Sequence, residues 1–89
     1  MNSDNRRGRL HFRSWHRGTR EMDLLLGNFA DAHLHAFTPD QLDLYEAMLE
    51  VNDPEIYDWI TGKSAIPSEH DNDVVRLACG FKYSGGKVS

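Results

Sequence analysis

The sequence has little cysteine and no long apolar run. Its one cysteine, Cys79, cannot form an intrachain disulfide, and a reducing compartment is compatible with it. The longest apolar stretch, Met22 to Leu26, is interrupted by Asp23 and is far shorter than the roughly 18 residues that span a bilayer. We therefore expect no direct membrane insertion. We expect Cys79 to be a small buried core residue and not a reactive thiol.

Motifs that would carry metal, nucleotide or catalytic chemistry are also missing. The sequence contains no HExxH, CxxC, GxGxxG or GxxxxGK pattern. His33 and His35 lie two residues apart, so on a helix they point in different directions, and His11 and His16 have no carboxylate at a matching offset. We predict no metal site and no tightly bound cofactor. With 89 residues there is little room for a substrate pocket, and we predict that the chain is not an enzyme.

The charges are distributed unevenly. The net charge is −4, yet residues 1–20 carry six arginines and a single acid. This basic segment on an acidic body indicates an oriented docking surface. Its arginines are interleaved with aromatic residues, which leaves RNA binding as an alternative, although the acidic body and the lack of a nucleic-acid reader motif favour no nucleic-acid partner. The residues concerned are Arg6, Arg7, Arg9, Phe12, Arg13 and Trp15.

Hydrophobic periodicity predicts an all-α fold, a compact bundle of five helices in a single domain. We expect a flexible N-terminus over residues 1–5, the helical domain over residues 6–84 and a flexible tail over residues 85–89. The first helix should span residues 6–16 and the second residues 19–36. Trp59 is expected in the core with the following residues: Leu25, Leu26, Phe29, Leu42, Leu49, Ile56, Val74 and Ala78.

Capping residues predict where the last three helices begin. Thr38, Pro39 and Gln41 form the pattern of a capping box at the start of the third helix. Asp53-Pro54 should open the fourth helix with proline at its first position, and Gly62 should end it. Ser68 follows a proline and should be the N-cap of the fifth helix.

A short string, Arg17-Gly18-Thr19-Arg20-Glu21, allows two interpretations. In the structural one, Gly18 permits a tight turn and serves as N-cap, Glu21 reaches back to its amide, and Arg17 pairs with Glu21. In the functional one, the same residues form a working surface at the turn. The string alone favours neither interpretation.

Together with the next two residues, Met22 and Asp23, the string resembles the RGxxE(L/M)D signature of the succinate dehydrogenase flavinylation-factor family. A second segment, Asn52-Asp53-Pro54-Glu55-Ile56-Tyr57-Asp58-Trp59, is similar to an acid-rich stretch of that family that ends in tryptophan. The resemblance covers nearly the whole helical part. The glycine-rich tail departs from many relatives, which end in a longer charged helix.

The resemblance implies a five-helix assembly factor that transiently binds the flavoprotein subunit of succinate dehydrogenase. It would promote covalent attachment of the client's FAD, with the client supplying the histidine that bonds to the flavin 8α-methyl carbon. The binding surface near the flavin would consist of Arg17, Gly18, Glu21 and Asp23.

Several further expectations accompany this resemblance. The flavoprotein of fumarate reductase is a possible second client, and the free chain is expected to be a monomer. The motif begins sixteen residues into the sequence, which favours the bacterial cytoplasm over the mitochondrial matrix. An antitoxin-like inhibitor with another client remains an alternative, as does an RNA-binding protein.

Overall fold

The computed structural model describes residues 3–81, and this part of the chain is helical with no β-strand. The all-α prediction is thereby confirmed. Five α-helices are joined by short connections, two of which contain a single 3-10 turn. The helices are α1 (Ser3–Trp15), α2 (Arg20–His33), α3 (Pro39–Leu49), α4 (Asp53–Thr61) and α5 (Asp73–Gly80). The predicted tail over residues 85–89 lies outside the described residues.

The two N-terminal helices, α1 and α2, pack against each other along an unusually close contact. The indole of Trp15 lies directly on Gly27, where a Cβ atom would come within 2.2 Å of the ring. The glycine in the middle of α2 is therefore explained by packing. The contact could not be predicted from local sequence patterns, because the two residues belong to different helices.

The connection between α2 and α3 contains the capping box predicted from the sequence. The hydroxyl of Thr38 accepts a hydrogen bond from the Gln41 amide at 3.2 Å, and the Gln41 side chain accepts one from the Thr38 amide at 2.9 Å. Before it, α2 ends at His33, and Leu34–Ala36 forms a 3-10 turn, so the second helix stops three residues earlier than expected.

The first helix begins at Ser3, three residues earlier than predicted and within the segment expected to be flexible. The fourth and fifth helices also differ from the predictions at their starts. Asn52 is the N-cap of α4, which puts Pro54 at the second helical position and not at the first, while Gly62 ends the helix at φ 82° as expected. The prediction of Ser68 as an N-cap is wrong. A 3-10 turn, Ser68–His70, occurs there, and α5 begins only after Asn72, whose side chain accepts from the Val75 amide at 2.9 Å.

The core is formed by one apolar cluster to which every α-helix contributes. Of the predicted core residues, Leu25 is only partly buried, and Cys79 is likewise half-buried, so neither matches the expectation fully. The remaining predictions are confirmed by buried side chains: Leu26, Phe29, Leu42, Leu49, Ile56, Trp59, Val74 and Ala78.

A polar pair lies inside this core. The hydroxyls of Ser14 and Tyr45 are 2.6 Å apart, and both side chains are fully buried. Ser14 also donates to the carbonyl of Leu10 at 2.8 Å. Burial raises the pKa of Tyr45 to about 12 because the phenolate would be poorly solvated there. The pair joins α1 to α3 and keeps both hydroxyls hydrogen-bonded.

Across residues 3–81, none of the helices combines the length and the apolar character needed to cross a bilayer.

Candidate functional site

Most of the basic N-terminal segment is used inside the fold. Arg6 of α1 pairs with Asp43 and, at 2.9 Å, with Glu46 of α3. About two helical turns further along α1, Arg13 pairs with Glu50 at 2.8 Å. These ion pairs form a row that joins α1 to α3. The expectation that the arginines form a free docking surface is therefore wrong for them.

Arg7 is engaged in a different way. Its guanidinium donates to the backbone carbonyls of Leu34, at 2.9 Å, and of Phe37. Both carbonyls belong to the segment that follows α2, and the Leu34 carbonyl also accepts from the Phe37 amide at 3.2 Å within the 3-10 turn. Arg7 thus joins α1 to the segment between α2 and α3.

Arg17 continues the same row at the loop between α1 and α2. Its side chain is only 10% exposed and pairs with Asp53 of α4 at 2.8 Å. The guanidinium also donates to the carbonyls of Leu49, at 2.7 Å, and Val51, at 2.9 Å. The predicted Arg17–Glu21 pair is therefore wrong. The planar guanidinium has enough donors to bind the carboxylate and both carbonyls together.

Gly18 occupies the turn with φ 119°, a backbone conformation that side-chain-bearing residues rarely adopt. The N-cap of α2 is Thr19, not Gly18 as predicted, and its hydroxyl accepts from the Met22 amide at 3.2 Å. The predicted capping role of Glu21 is therefore wrong, because Glu21 lies one position too early in the helix. A Cβ on Gly18 would have no atom within 4 Å, so the glycine faces open space.

Asp23 completes the inner side of the loop. Its carboxylate accepts a hydrogen bond from the backbone amide of Arg17 at 2.6 Å. The interaction fixes the loop backbone from the first turn of α2, while the Arg17 side chain fixes it from α3 and α4. Two of the four predicted site residues, Arg17 and Asp23, thus lie on the supporting side of the loop.

The outer side of the loop presents the other two predicted residues. Gly18 and Glu21 are exposed, as are Thr19 and Arg20. Within residues 3–81, the side chains of Glu21 and Arg20 form no ion pair or hydrogen bond. The loop therefore combines a fixed backbone with exposed charged side chains of both signs.

A shallow groove of about 360 Å³ adjoins this surface. The start of α2 forms one wall and the first turns of α4 form the other. Most of the groove surface is apolar, and it is lined by Thr19, Glu21, Met22, Asp53, Pro54 and Tyr57.

The contribution of α4 to this surface was not predicted from the sequence. A signal was present, because Tyr57 lies outside the stripe of Ile56, Trp59 and Ile60 that faces the core. An aromatic residue off the buried stripe of a helix is a candidate for an interaction surface. In the structure its side chain is 38% exposed.

The chemistry available to these residues is recognition. In the described part of the chain, no group of three potential metal ligands comes together. The thiol of Cys79 is half-buried, and burial raises its pKa, which disfavours the reactive thiolate. By contrast, the loop offers a backbone that a partner can approach closely, and the groove offers apolar surface beside the Glu21 carboxylate, which has no ionic partner among residues 3–81.

Comparison with known proteins gives a consistent result. A family model described as flavinator of succinate dehydrogenase matches residues 8–81. The chain is 42% identical over 71 residues to an FAD assembly factor, SdhE, of Acetobacter pasteurianus, covering 80% of this chain and 65% of the relative. It is 41% identical over 71 residues to the mitochondrial succinate dehydrogenase assembly factor 2 of Dictyostelium discoideum, covering 80% of this chain and 50% of the relative. The chain thus spans about half to two thirds of the length of these relatives.

Proposed function

The chain belongs to the family of flavinators of succinate dehydrogenase, and we propose that it binds the flavoprotein subunit of that enzyme and promotes covalent attachment of FAD. The family match over residues 8–81 is the observation that carries this proposal. The relatives bear the names FAD assembly factor and succinate dehydrogenase assembly factor. The matched residues include the α1–α2 loop, its supports and the adjoining groove.

The loop has the properties that a transient protein contact requires. Gly18 is exposed at positive φ and carries no side chain, so the client can approach the backbone closely. The Arg17 side chain and the Asp23 carboxylate already hold the loop in place. Because the loop is ordered before binding, association costs less conformational entropy.

The four residues of the predicted site divide into two roles in this proposal. Gly18 and Glu21 contact the client, since both are exposed. Arg17 and Asp23 position the loop, since their polar atoms are bonded within the chain. A direct Arg17 contact with the client or its flavin would require the guanidinium to leave its internal partners.

The covalent chemistry remains with the flavin and the client in this proposal. The chain contributes orientation of the reacting groups, and we propose that it is neither an enzyme nor a stable FAD-binding protein. The surface beside the loop is a shallow groove, which suits a protein segment better than a dinucleotide that must be enclosed.

The proposal extends to partner and place. The client range includes the flavoprotein of fumarate reductase, and the chain acts as a monomer in the compartment that holds its client, the cytoplasm of a bacterium.

The RNA-binding alternative has lost most of its basis, because Arg6, Arg7, Arg13 and Arg17 bind acceptors within the fold. An antitoxin-like role is favoured by no feature of the described structure.

The direct test measures covalent flavin on the client. The flavoprotein subunit of succinate dehydrogenase is produced in cells with and without this chain, denatured, separated by electrophoresis and examined for flavin fluorescence. We expect strong fluorescence only when the chain is present. Equal fluorescence in both samples, with the chain shown to be folded and expressed, would exclude the proposed function.

A further inference from the structure

We propose that the groove between α2 and α4 receives a segment of the flavoprotein client in which a basic side chain lies next to an apolar one. The basic group pairs with Glu21, and the apolar side chain packs between Met22, Pro54 and Tyr57. This proposal rests on the proposed function, and it adds a second contact element, the first turns of α4, together with the chemistry of its occupant.

The shape and exposure of the groove support an apolar contact. Its floor contains Met22, which is only 3% exposed, and its α4 wall contains Pro54 and Tyr57. Tyr57 leaves 38% of its surface in solvent, although Ile56 and Trp59 beside it are buried. An exposed tyrosine next to apolar surface can bury a large area with little loss of side-chain entropy. Tyrosine is accordingly enriched among the residues that dominate protein interfaces.

The charge of the groove supports a basic neighbour. Two carboxylates line it, Glu21 and Asp53. Asp53 is already neutralised by Arg17 at 2.8 Å. Glu21 is exposed and forms no ion pair within residues 3–81, so its negative charge is the unbalanced one. A lysine or arginine of the client is favoured there, and an acidic side chain is disfavoured by like-charge repulsion.

Arg20 does not cancel this charge. It follows Thr19 and precedes Glu21 in α2, and adjacent helical residues project about 100° apart. It is also absent from the groove lining, whereas Glu21 is part of it. Of the two carboxylates that line the groove, Glu21 is therefore the one without an ionic partner among residues 3–81.

The two walls are held together before the client arrives. Arg17 bonds to Asp53 at the start of α4 and to the carbonyls of Leu49 and Val51, while its own amide bonds to Asp23 of α2. The groove also adjoins Thr19, directly after the exposed Gly18. The loop and the groove therefore form one continuous surface. A client segment that crosses the Gly18 backbone can extend directly into the preformed groove.

Binding of the isolated flavoprotein subunit of succinate dehydrogenase to Tyr57→Ala tests the apolar contact. We expect about a thirtyfold higher Kd than for the unaltered chain, the lower limit for an interface hot spot, with the variant still folded at the temperature of the binding assay. Leu77→Ala is the matched control, since Leu77 is 43% exposed on α5 and does not line the groove. Its Kd should stay within about twofold of the unaltered value. Equal binding by Tyr57→Ala and the unaltered chain would overturn the proposal.

The basic occupant is tested through Glu21. Glu21→Gln keeps the shape of the side chain and should raise the Kd at low salt, while the salt dependence of binding becomes weaker. Glu21→Lys should raise the Kd further. Unchanged binding and salt dependence in Glu21→Gln would overturn the pairing with a basic group. Tighter binding by Glu21→Lys would indicate an acidic occupant and would also overturn it.

Covalent flavin on the client separates failure of this proposal from failure of the proposed function. If the unaltered chain does not raise covalent flavin, the proposed function itself fails. Suppose instead that the unaltered chain raises covalent flavin, and that Tyr57→Ala and Glu21→Lys match it both in this activity and in binding to the subunit. The groove is then excluded as a contact, while the proposed function stands. The expected result is normal activity for the unaltered chain and Leu77→Ala, and reduced activity for both groove variants.

Discussion

The connections before and after α2 each contain a threonine N-cap, but the residues around the two caps differ in exposure. At each, a threonine hydroxyl accepts from the amide three residues on at 3.2 Å: Thr19 from Met22, and Thr38 from Gln41. Gln41 then reaches back to the Thr38 amide and completes a capping box. Met22 cannot do so, because its side chain belongs to the core.

The residues around each cap show the consequence of this difference. Phe37, directly before Thr38, is buried and closes that connection over the core. Gly18, directly before Thr19, is exposed, and Glu21 is left without a partner in the described structure. A helix can therefore begin with a side-chain N-cap while the residues next to that cap remain available for binding. The Thr38 connection serves stability, and the Thr19 connection combines stability with a presented surface.

Of the substitutions that test this difference between the two connections, replacement of Gly18 is expected to have the largest effect on activity. Gly18→Arg should abolish stimulation of covalent flavin attachment, because a long side chain would stand where the client meets the backbone. The strain of an arginine at φ 119° should lower the free energy of unfolding by about 1–3 kcal/mol. That loss leaves a domain of typical stability, about 5–15 kcal/mol, largely folded. Circular dichroism melting and client flavin fluorescence measure the two effects separately.

Gly62→Arg is the matched control for this substitution. Gly62 also has positive φ, 82°, and open space around its Cβ position, but it lies at the far end of α4 from the groove. The two variants should lose similar stability, and only Gly18→Arg should lose activity. Normal covalent flavin with folded Gly18→Arg would refute the loop as the working surface. If Gly18→Arg and Gly62→Arg lost covalent flavin attachment to the same extent, the loss would be explained by reduced stability alone.

The support behind the loop should give the next largest effect. Arg17→Ala removes a guanidinium that is 10% exposed and leaves Asp53 and two carbonyls without their donor. We expect a loss of about 2–4 kcal/mol in the free energy of unfolding, measured by urea denaturation. Arg9→Ala, at an exposed position of α1, should change it by less than about 0.5 kcal/mol.

Activity distinguishes support from contact at Arg17. If the side chain positions the loop, stability and covalent flavin should fall together in Arg17→Ala. Full stability combined with lost activity would instead assign Arg17 a direct contact with the client.

The sequence predicted the features that depend on neighbours along the chain. The capping box at Thr38 and the glycine end of α4 at Gly62 follow from residues within one turn, and both are confirmed. The predicted start of α5 was wrong because Ser68 and Asn72 are both residue types that are common at N-caps. The backbone of Asp71, at φ −84° and ψ 86°, interrupts the helix between them, and local propensity does not specify this.

The predictions failed mainly where partners are distant in sequence. Arg17 and Asp53 are 36 positions apart, so the nearby Glu21 was the partner that spacing favoured. The resemblance pointed to the α1–α2 loop but did not separate the residues that support it from those that are exposed. That division depends on which helices pack behind the loop, and it became visible only with the tertiary structure.

The close helix contact behind the loop should give a smaller effect. In Gly27→Ala the new methyl group would meet the Trp15 ring at 2.2 Å, so the indole must move. We expect the free energy of unfolding to fall by about 1–3 kcal/mol, as for other overpacked sites. Gly8→Ala, in α1 with nothing within 4 Å of the added atom, should instead stabilise by about 0.5–1 kcal/mol. Thermal melting of both variants would show opposite signs, and a stabilised Gly27→Ala would contradict the observed packing.

The smallest expected effect concerns the cap that serves stability alone. Thr38→Ala removes the hydroxyl that accepts from the Gln41 amide, while the bond from the Thr38 amide to the Gln41 side chain can remain. The free energy of unfolding should therefore fall by about 1 kcal/mol. Thr38→Ser retains the hydroxyl and should be nearly unchanged. Both variants should stimulate covalent flavin attachment normally while folded, because Thr38 lies beyond the opposite end of α2 from Gly18. A loss of activity in stably folded Thr38→Ala would indicate that the working surface includes the Thr38 connection. The proposed difference in function between the Thr19 and Thr38 connections would then be wrong.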